Sequence, residues 1–503
     1  MQEERDEVTV PAARQSRTST ARPWRDAREW IERVRDIGEL SDVRGVDWQA
    51  GIGATTQLLD RTEGAPSVLF DEVPGYEAGR RVLVNCNGTL ARQAVTLGLA
   101  ATQATHQGLR EFWRGVLAGR APIPPVEVEN GPVFENVLRG TAVDLEAFPV
   151  PVWHPNDGGR YIGTASLNVL KDPDTPWVNV GTYRNQIFSR NELGMWISPG
   201  KHGRLIRERY AATGQRVPVV VVVGADPLLF LAAAAAIPFG TDEFAWAGAV
   251  RGEAIEIVRG PITGLPFPAR AEIVIEGWID PARWHEEGPY GEFHGYYGIG
   301  EGRTPVIEVE AIYHRDDPIL LGCPQGKPPH EDNRVLAYLR AAQVEAELAS
   351  AGVPRITGVW CPPVAAERFL TVVSVNQAYP GHATQALTVA GQTGAAAYMA
   401  RIVVVVDSDI DIFDMNDVLW AIMTRVDPER DTNVVRRAWS GPLDPAVHPD
   451  ERGFNSRLLI DATRPWEWRD RFAEPVVTAA MAAATRRTWG WILDPAATDP
   501  RRS

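Results

Sequence analysis

From Val217 to Phe239 the chain reads VPVVVVVGADPLLFLAAAAAIPF, an apolar run nearly long enough to cross a bilayer. Gly224, Ala225, Asp226 and Pro227 break it in the middle, where a spanning helix would have to continue. The run therefore divides into a Val-rich buried strand, a turn and a short Ala/Leu helix. That is a core segment of a soluble protein, and the rest of the chain must supply the layers that cover it.

With 503 residues the chain is long enough for two or three domains. Residues 1–23 are charged and polar without an apolar centre, which predicts a mobile tail rather than a secretory signal. From 24 to 126, helical stretches such as AREWIERVRDIGEL alternate with the short apolar runs SVLFDEV and RVLVNCN, the pattern of an α/β domain. The Pro-dense segment RAPIPPVEVENGPV marks its boundary. From 127 to 325 strand signals dominate (ASLNVL, PWVNVGTYRNQIF, EAIEIV, AEIVIEGWI, PVIEVEAIYH), predicting a mostly antiparallel barrel or sandwich. Within it NELGMWI reads as a connection and KHGRLIRERYAAT as a helix. From 326 to 470 the strands ITGVWCP, FLTVVSVN and ARIVVVVD alternate with helices, giving a second α/β domain. Residues 471–503 form a helix and a Trp-rich tail too apolar for a free terminus, which predicts packing on a partner subunit.

The net charge of -14 argues against a nucleic-acid partner, which would need a concentrated basic face. Cys86, Cys323 and Cys361 lie far apart without a CxxC pair, so neither a disulfide framework nor a zinc ribbon is supported, and a reducing, cytoplasmic setting fits best. The chain has no GxGxxG after a strand, no GxxxxGK[ST] loop and no HExxH.

Chemistry-bearing groups gather in three stretches. In EGPYGEFHGYY, Glu287 and Glu292 stand five residues apart. That spacing shares neither a helix face nor a strand face, so the stretch is a shaped loop. Two carboxylates brought together raise one pKa and can keep one proton near neutral pH; the other reading is a surface turn with two solvated acids. The segment WVNVGTYRNQIFSRNELGMWISPGKHG adds Asn179, Arg184, Lys201 and His202. Arg184, on a predicted strand, could pair with either glutamate, or be an ordinary surface cation. His202, just before a helix, reads equally as a polar end residue. Third, Glu243 follows the apolar run; an amide oxygen, an imidazole and a carboxylate together suit Mn or Mg shared with a phosphate, although in sequence these ligands are scattered.

Taken together, PVWHPNDGGRYIGT, WVNVGTYRNQIF, SPGKHG, TDEFAWAGAVRGE, EGPYGEFHGYYG, VVVDSDIDIFDMNDVLWAIMTRVDP and LLIDAT resemble the UbiD family of reversible decarboxylases that use prenylated FMN. The likeness runs from about residue 36 to 466. It implies an N-terminal α/β domain, a central split β-barrel flavin-binding domain and a C-terminal α/β domain that makes homodimers, sometimes hexamers. It makes Arg184, Glu287 and Glu292 the catalytic set, with Glu292 as proton donor, and Asn179, His202 and Glu243 the Mn2+ (or Mg2+) ligands that clamp the flavin phosphate. A K+ ion beside Trp177 and the Ala232 to Ala235 backbone is also implied. Thr164, Lys201 and Arg401 become further cofactor contacts; some relatives carry Gln at the position of Lys201 and Lys at that of Arg401, where Arg changes the hydrogen-bond geometry. The implied reaction is non-oxidative decarboxylation of an α,β-unsaturated or (hetero)aromatic acid through a covalent prenylated-FMN adduct, with a flavin prenyltransferase as cofactor supplier. An FMN oxidoreductase and a catalytically idle structural homologue are the alternatives.

Overall fold

A computed structural model of the chain describes residues 24–298, 302–472 and 477–493. The tail expected over residues 1–23 lies outside these, as does the end beyond 493.

The apolar run folds as its sequence requires. Val217–Val223 is a strand, Asp226 caps the next helix by accepting from Leu229 N at 3.0 Å, and Pro227 opens the helix Pro227–Ala234. Successive strand side chains point to opposite faces. Val219, Val221 and Val223 enter a core with Trp153, Tyr161 and Ile275, while Val220 and Val222 enter another with Leu228, Phe230 and Val274. The strand is buried on both faces because each face is a core.

This strand is central to a curled nine-stranded sheet of mixed α/β surroundings, a half-barrel. Its longest hairpin joins Ile273–Glu286 to Arg303–His314, antiparallel, with Ile273 opposite His314 and Glu286 opposite Arg303. The stretch EGPYGEFHGYY is therefore the connection at the far end of that hairpin. The sequence read NELGMWI as a connection; instead Glu192–Gly194 is a short strand between Asn185–Ser189 and the hairpin. Three residues are too few to display an alternating pattern.

A four-stranded sheet holds Leu40–Arg44, Ser67–Asp71 and Arg81–Val84, and its fourth strand is Ile319–Gly322, which arrives directly after the half-barrel hairpin. A mixed five-stranded sheet, Ile356–Trp360, Leu370–Val375, Ile402–Asp407, Phe454–Ala462 and Thr432–Trp439 in spatial order, follows the long helix Glu331–Ser350. Among the described residues no helix is long and apolar enough to cross a membrane.

One buried carboxylate joins the first helix to the half-barrel. Glu272 accepts from Arg28 Nε and Nη2, both at 2.8 Å, from Arg315 Nη1 at 3.3 Å and from the Ile319 backbone at 3.2 Å. Removing its charge takes from Arg28 the only carboxylate paired with it among the described residues and leaves Arg315 with Asp26 alone, and breaking a buried pair of this kind costs about 3 kcal/mol. Glu272→Gln should lower the thermal unfolding midpoint by several degrees; a midpoint equal to that of the parent would show the joint to be energetically silent.

Candidate active site

Arg184 sits between the strands Val178–Gly181 and Asn185–Ser189, where a single bridge pairs it with Trp196. Its guanidinium meets the hairpin loop. Nε and Nη2 each donate to Glu287 at 2.7 Å, a bidentate fork, and Nη1 donates to Glu292 Oε1. The plane lies over the Trp196 ring at 4.4 Å and the Tyr290 ring at 5.3 Å. Tyr161 adds a hydroxyl to Glu287 at 2.9 Å, so the carboxylate is held from two sides.

Both carboxylates are buried, Glu287 to 7% and Glu292 to 3% exposure, and the Arg184 side chain is 10% exposed. Burial raises the Glu292 carboxyl above the ordinary range, with Arg184 opposing and Glu287 reinforcing. Burial would lower Arg184, but the charges of Glu292 and Glu287 outweigh it and hold the guanidinium above its ordinary value. One firm cation thus faces two carboxylates, one of them raised by burial.

The loop owes its course to close backbone approach. Gly158 N donates to the Pro289 carbonyl at 2.7 Å, and a Cβ on Gly158 would stand 2.0 Å from the Gly288 carbonyl oxygen. Gly291 N donates to Asp157 Oδ1 at 3.2 Å, beside the His154 ring, whose Nδ1 lies 3.0 Å from Asp157 Oδ2. Tyr161, Tyr290, Trp196, His154 and Asp157 were not singled out from the sequence. All sit inside or beside the motifs, but aromatic and His–Asp neighbours look like ordinary core residues until the fold places them.

The second cluster joins Asn179 to Glu243. Asn179 Nδ2 donates to Glu243 Oε1 at 2.8 Å, Val180 N donates to Oε2 at 3.0 Å, and Tyr183 Oη bridges Asn179 Oδ1 and the backbone N–H of Gly203, at 2.8 and 2.9 Å. Gly203 follows His202, whose ring packs edge-on to Trp177 at 5.5 Å. Among the described residues no cationic side chain pairs with Glu243, and burial lifts its carboxyl to about 7. Burial and then Lys201 lower the His202 pKa, leaving a neutral imidazole. A buried carboxylate without a cation, a neutral imidazole and an amide fit a hard divalent ion. Among the described residues there is no group of three His, Cys, Asp or Glu able to hold a metal, so the amide would have to serve as a ligand.

The remaining predicted contacts are spread out. Thr164 Oγ1 accepts from Cys323 N at 3.0 Å. Lys201 is solvent-exposed and near Arg368 and Arg340; crowding by protein atoms, and then those two charges, bring its ammonium down to about 8. Arg401 lies in the C-terminal sheet, paired with Asp444 and 5.8 Å above the Phe369 ring. The Ala232 to Ala235 stretch is the end of the helix Pro227–Ala234, where Ala233 O accepts from Thr182 N at 3.1 Å.

Comparison with known proteins matches most of the chain. Family models described as the N-terminal, Rift-related and C-terminal domains of 3-octaprenyl-4-hydroxybenzoate carboxy-lyase match residues 31–111, 125–328 and 335–462. The chain is 34% identical over 464 residues to the pyrrole-2-carboxylic acid decarboxylase of Pseudomonas aeruginosa, covering 88% of this chain and 91% of that protein. It superposes on the UbiD-class enzyme HmfF of Pelotomaculum thermopropionicum in complex with FMN with a TM-score of 0.82 and 29% identity, over 92% of this chain and 100% of that one. An evolved dimeric form of the same enzyme in complex with prFMN gives 0.77 and 29%, over 91% and 99%. The chain is a carboxy-lyase. It belongs to the UbiD family.

Because the Gly288 carbonyl cannot yield to a methyl group at Gly158, Gly158→Ala should push the hairpin loop away from Arg184, at a strain cost of about 1–3 kcal/mol. A crystal structure of the variant should show the Arg184–Glu287 fork opened. An intact fork would mean that the loop does not depend on this contact.

Proposed function

We propose that this protein decarboxylates a small (hetero)aromatic or α,β-unsaturated carboxylic acid with prenylated FMN, and that Glu292 delivers the proton to the carbon that loses CO2. The observation that carries the reading is Arg184 held between Glu287 and Glu292, with the Glu292 carboxyl raised by burial. The reaction RCO2⁻ + H⁺ → RH + CO2 needs a proton donor at the site, and a carboxyl whose pKa burial has raised suits the task better than a solvated one. The similarity to a pyrrole-2-carboxylic acid decarboxylase and to flavin-bound relatives supports both the substrate class and the cofactor.

A carboxylate on an sp2 carbon leaves electrons with no empty orbital to enter; prenylated FMN, held by these residues, would supply the electron sink. The chain's part is placement and charge control. Arg184 receives the substrate carboxylate beside Glu292, Glu287 fixes the guanidinium, and the aromatic faces of Trp196 and Tyr290 exclude water around it. Asn179, His202 and Glu243 would hold Mn2+ or Mg2+ against the flavin phosphate, with K+ near Trp177 and Ala232 to Ala235. Thr164, Lys201 and Arg401 would add cofactor contacts. The assembly is a homodimer or hexamer, joined through exposed apolar side chains of the C-terminal region such as Trp420, Met423, Trp439 and Trp489. A flavin prenyltransferase supplies the cofactor, and the protein works in the cytoplasm.

The first test is native mass spectrometry of protein co-produced with a flavin prenyltransferase in the dark. Bound prenylated FMN with manganese, followed by CO2 release from pyrrole-2-carboxylate or another unsaturated acid, is the expected outcome. Unmodified FMN, or no flavin at all, would favour an FMN oxidoreductase or an idle homologue. In loaded protein Glu292→Gln should slow turnover by about 10²- to 10⁴-fold at unchanged flavin content; full turnover would remove the donor role.

Glu243 gives a pH-dependent test. Its folded pKa lies above its unfolded one, so the native state binds more protons, and its ionisation costs stability as pH rises through the window up to about 7. A divalent ion relieves that cost only where the carboxylate is ionised. Mn2+ should therefore raise the melting temperature of flavin-free protein more at pH 8 than at pH 5.5, and Asn179→Ala or His202→Ala should diminish the gain. Equal gains at both pH values, or in the variants, would refute the clamp.

A further inference from the structure

Both chain neighbours of Glu292 are gripped by a buried histidine that is itself held by an aspartate. On one side the His154 ring, with Asp157 at its Nδ1, packs against Gly291. On the other, His330 Nε2 lies 3.2 Å from the Phe293 carbonyl oxygen, and its Nδ1 edge is ion-paired with Asp332.

The second pair is out of keeping with its local position. His330 is the N-cap of the helix Glu331–Ser350, where an acceptor side chain is favoured and the helix dipole disfavours a cation. Its side chain makes no capping bond and reaches the Glu292 loop instead. His330 is 1% exposed. The surrounding groups sustain its charge: Asp332, whose other oxygen accepts from Gln325 Nε2 at 3.1 Å, and Asp60, which accepts from Glu331 N at 3.1 Å. Glu331 itself turns to Asn87 N at 3.0 Å, and Glu367, paired with Arg368, completes the ring of charges. Burial works against a cation here, yet Asp332 and Asp60 prevail and bring His330 up to about 9. As an imidazolium it is a donor at both nitrogens, and the carbonyl is an acceptor only. The Phe293 ring is anchored at the same time among Ala366, Met399 and Phe369, under the Arg368 guanidinium at 5.0 Å.

We propose that His330, held by Asp332, is a positioning residue for Glu292: by fixing the Phe293 carbonyl it sets how closely the Glu292 carboxyl approaches Arg184. The importance of this for catalysis rests on Glu292 being the proton donor, but the positioning itself can be read without turnover. The Glu292 carboxyl stretch, isolated by subtracting the infrared spectrum of Glu292→Gln, is titrated in flavin-free protein. With His330→Ala the loop slackens, Arg184 opposes burial less, and the Glu292 midpoint should rise by about one pH unit. His330→Gln lacks the charge but can still present a donor to the carbonyl, so it should bring the midpoint most of the way back. A rescue of this kind separates position from charge. A midpoint unmoved in His330→Ala, or displaced as far in His330→Gln as in His330→Ala, overturns the proposal. Should His330→Ala not fold, Asp332→Asn, which keeps the volume and removes the ion pair, must shift the midpoint upwards, and an unmoved value there is equally fatal. Turnover of Glu292→Gln is a separate reading: retained activity would remove the donor role and leave the positioning result standing.

Discussion

One guanidinium placed between two buried carboxylates sets the terms for everything around it. Arg184 can neutralise one negative charge, and it meets two. In water the surplus would be solvated; here burial makes a carboxylate without full compensation costly, and it raises the Glu292 carboxyl. Glu287 receives both teeth of the fork and the Tyr161 hydroxyl, whereas Glu292 receives a single N–H from Arg184. The carboxyl with fewer donors is the one that burial raises.

Such an arrangement requires a rigid mount, because carboxylates with a charge deficit repel each other and the loop that carries them. The half-barrel provides it. Its central strand is packed on both faces, and its longest hairpin carries the loop at the far end. The strand that follows this hairpin, Ile319–Gly322, is built into the N-terminal sheet, and the next helix begins at the His330 N-cap. The chain leaving the hairpin is thus fixed in a second sheet before it reaches the helix that opens beside the loop.

Much of this was legible in the sequence, and the reason differs by element. The Val217–Phe239 run announced its own strand and helix because continuous β-branched residues, a Gly–Ala–Asp–Pro break and an alanine tract each have one local solution. Glu287 and Glu292 were legible as a shaped loop from their spacing alone; only resemblance to a family made them an expected catalytic pair, since no spacing rule says that Arg184 will meet them. The strand Glu192–Gly194 was missed because it is too short for a period. Ile319–Gly322 could not have been placed in the N-terminal sheet from local pattern, because its partners lie more than two hundred residues upstream. Tyr161 and Tyr290 were invisible as site residues for the same reason: their role is to lie beside Arg184 and Glu287, and only the fold makes them neighbours.

The two acidic clusters use burial in opposite ways. At Glu292 the raised carboxyl is opposed by a cation the chain supplies itself, so proton affinity is tuned by a distance within the protein. At Glu243 the opposing groups are an amide and a backbone N–H, which soften the charge without neutralising it. A chain that merely needed a stable core would have no cause to leave a carboxylate in that state, because an apolar residue of the same volume would cost less. The second cluster therefore holds a carboxylate that, among the described residues, no cation of the chain's own opposes, whereas the first supplies its cation itself.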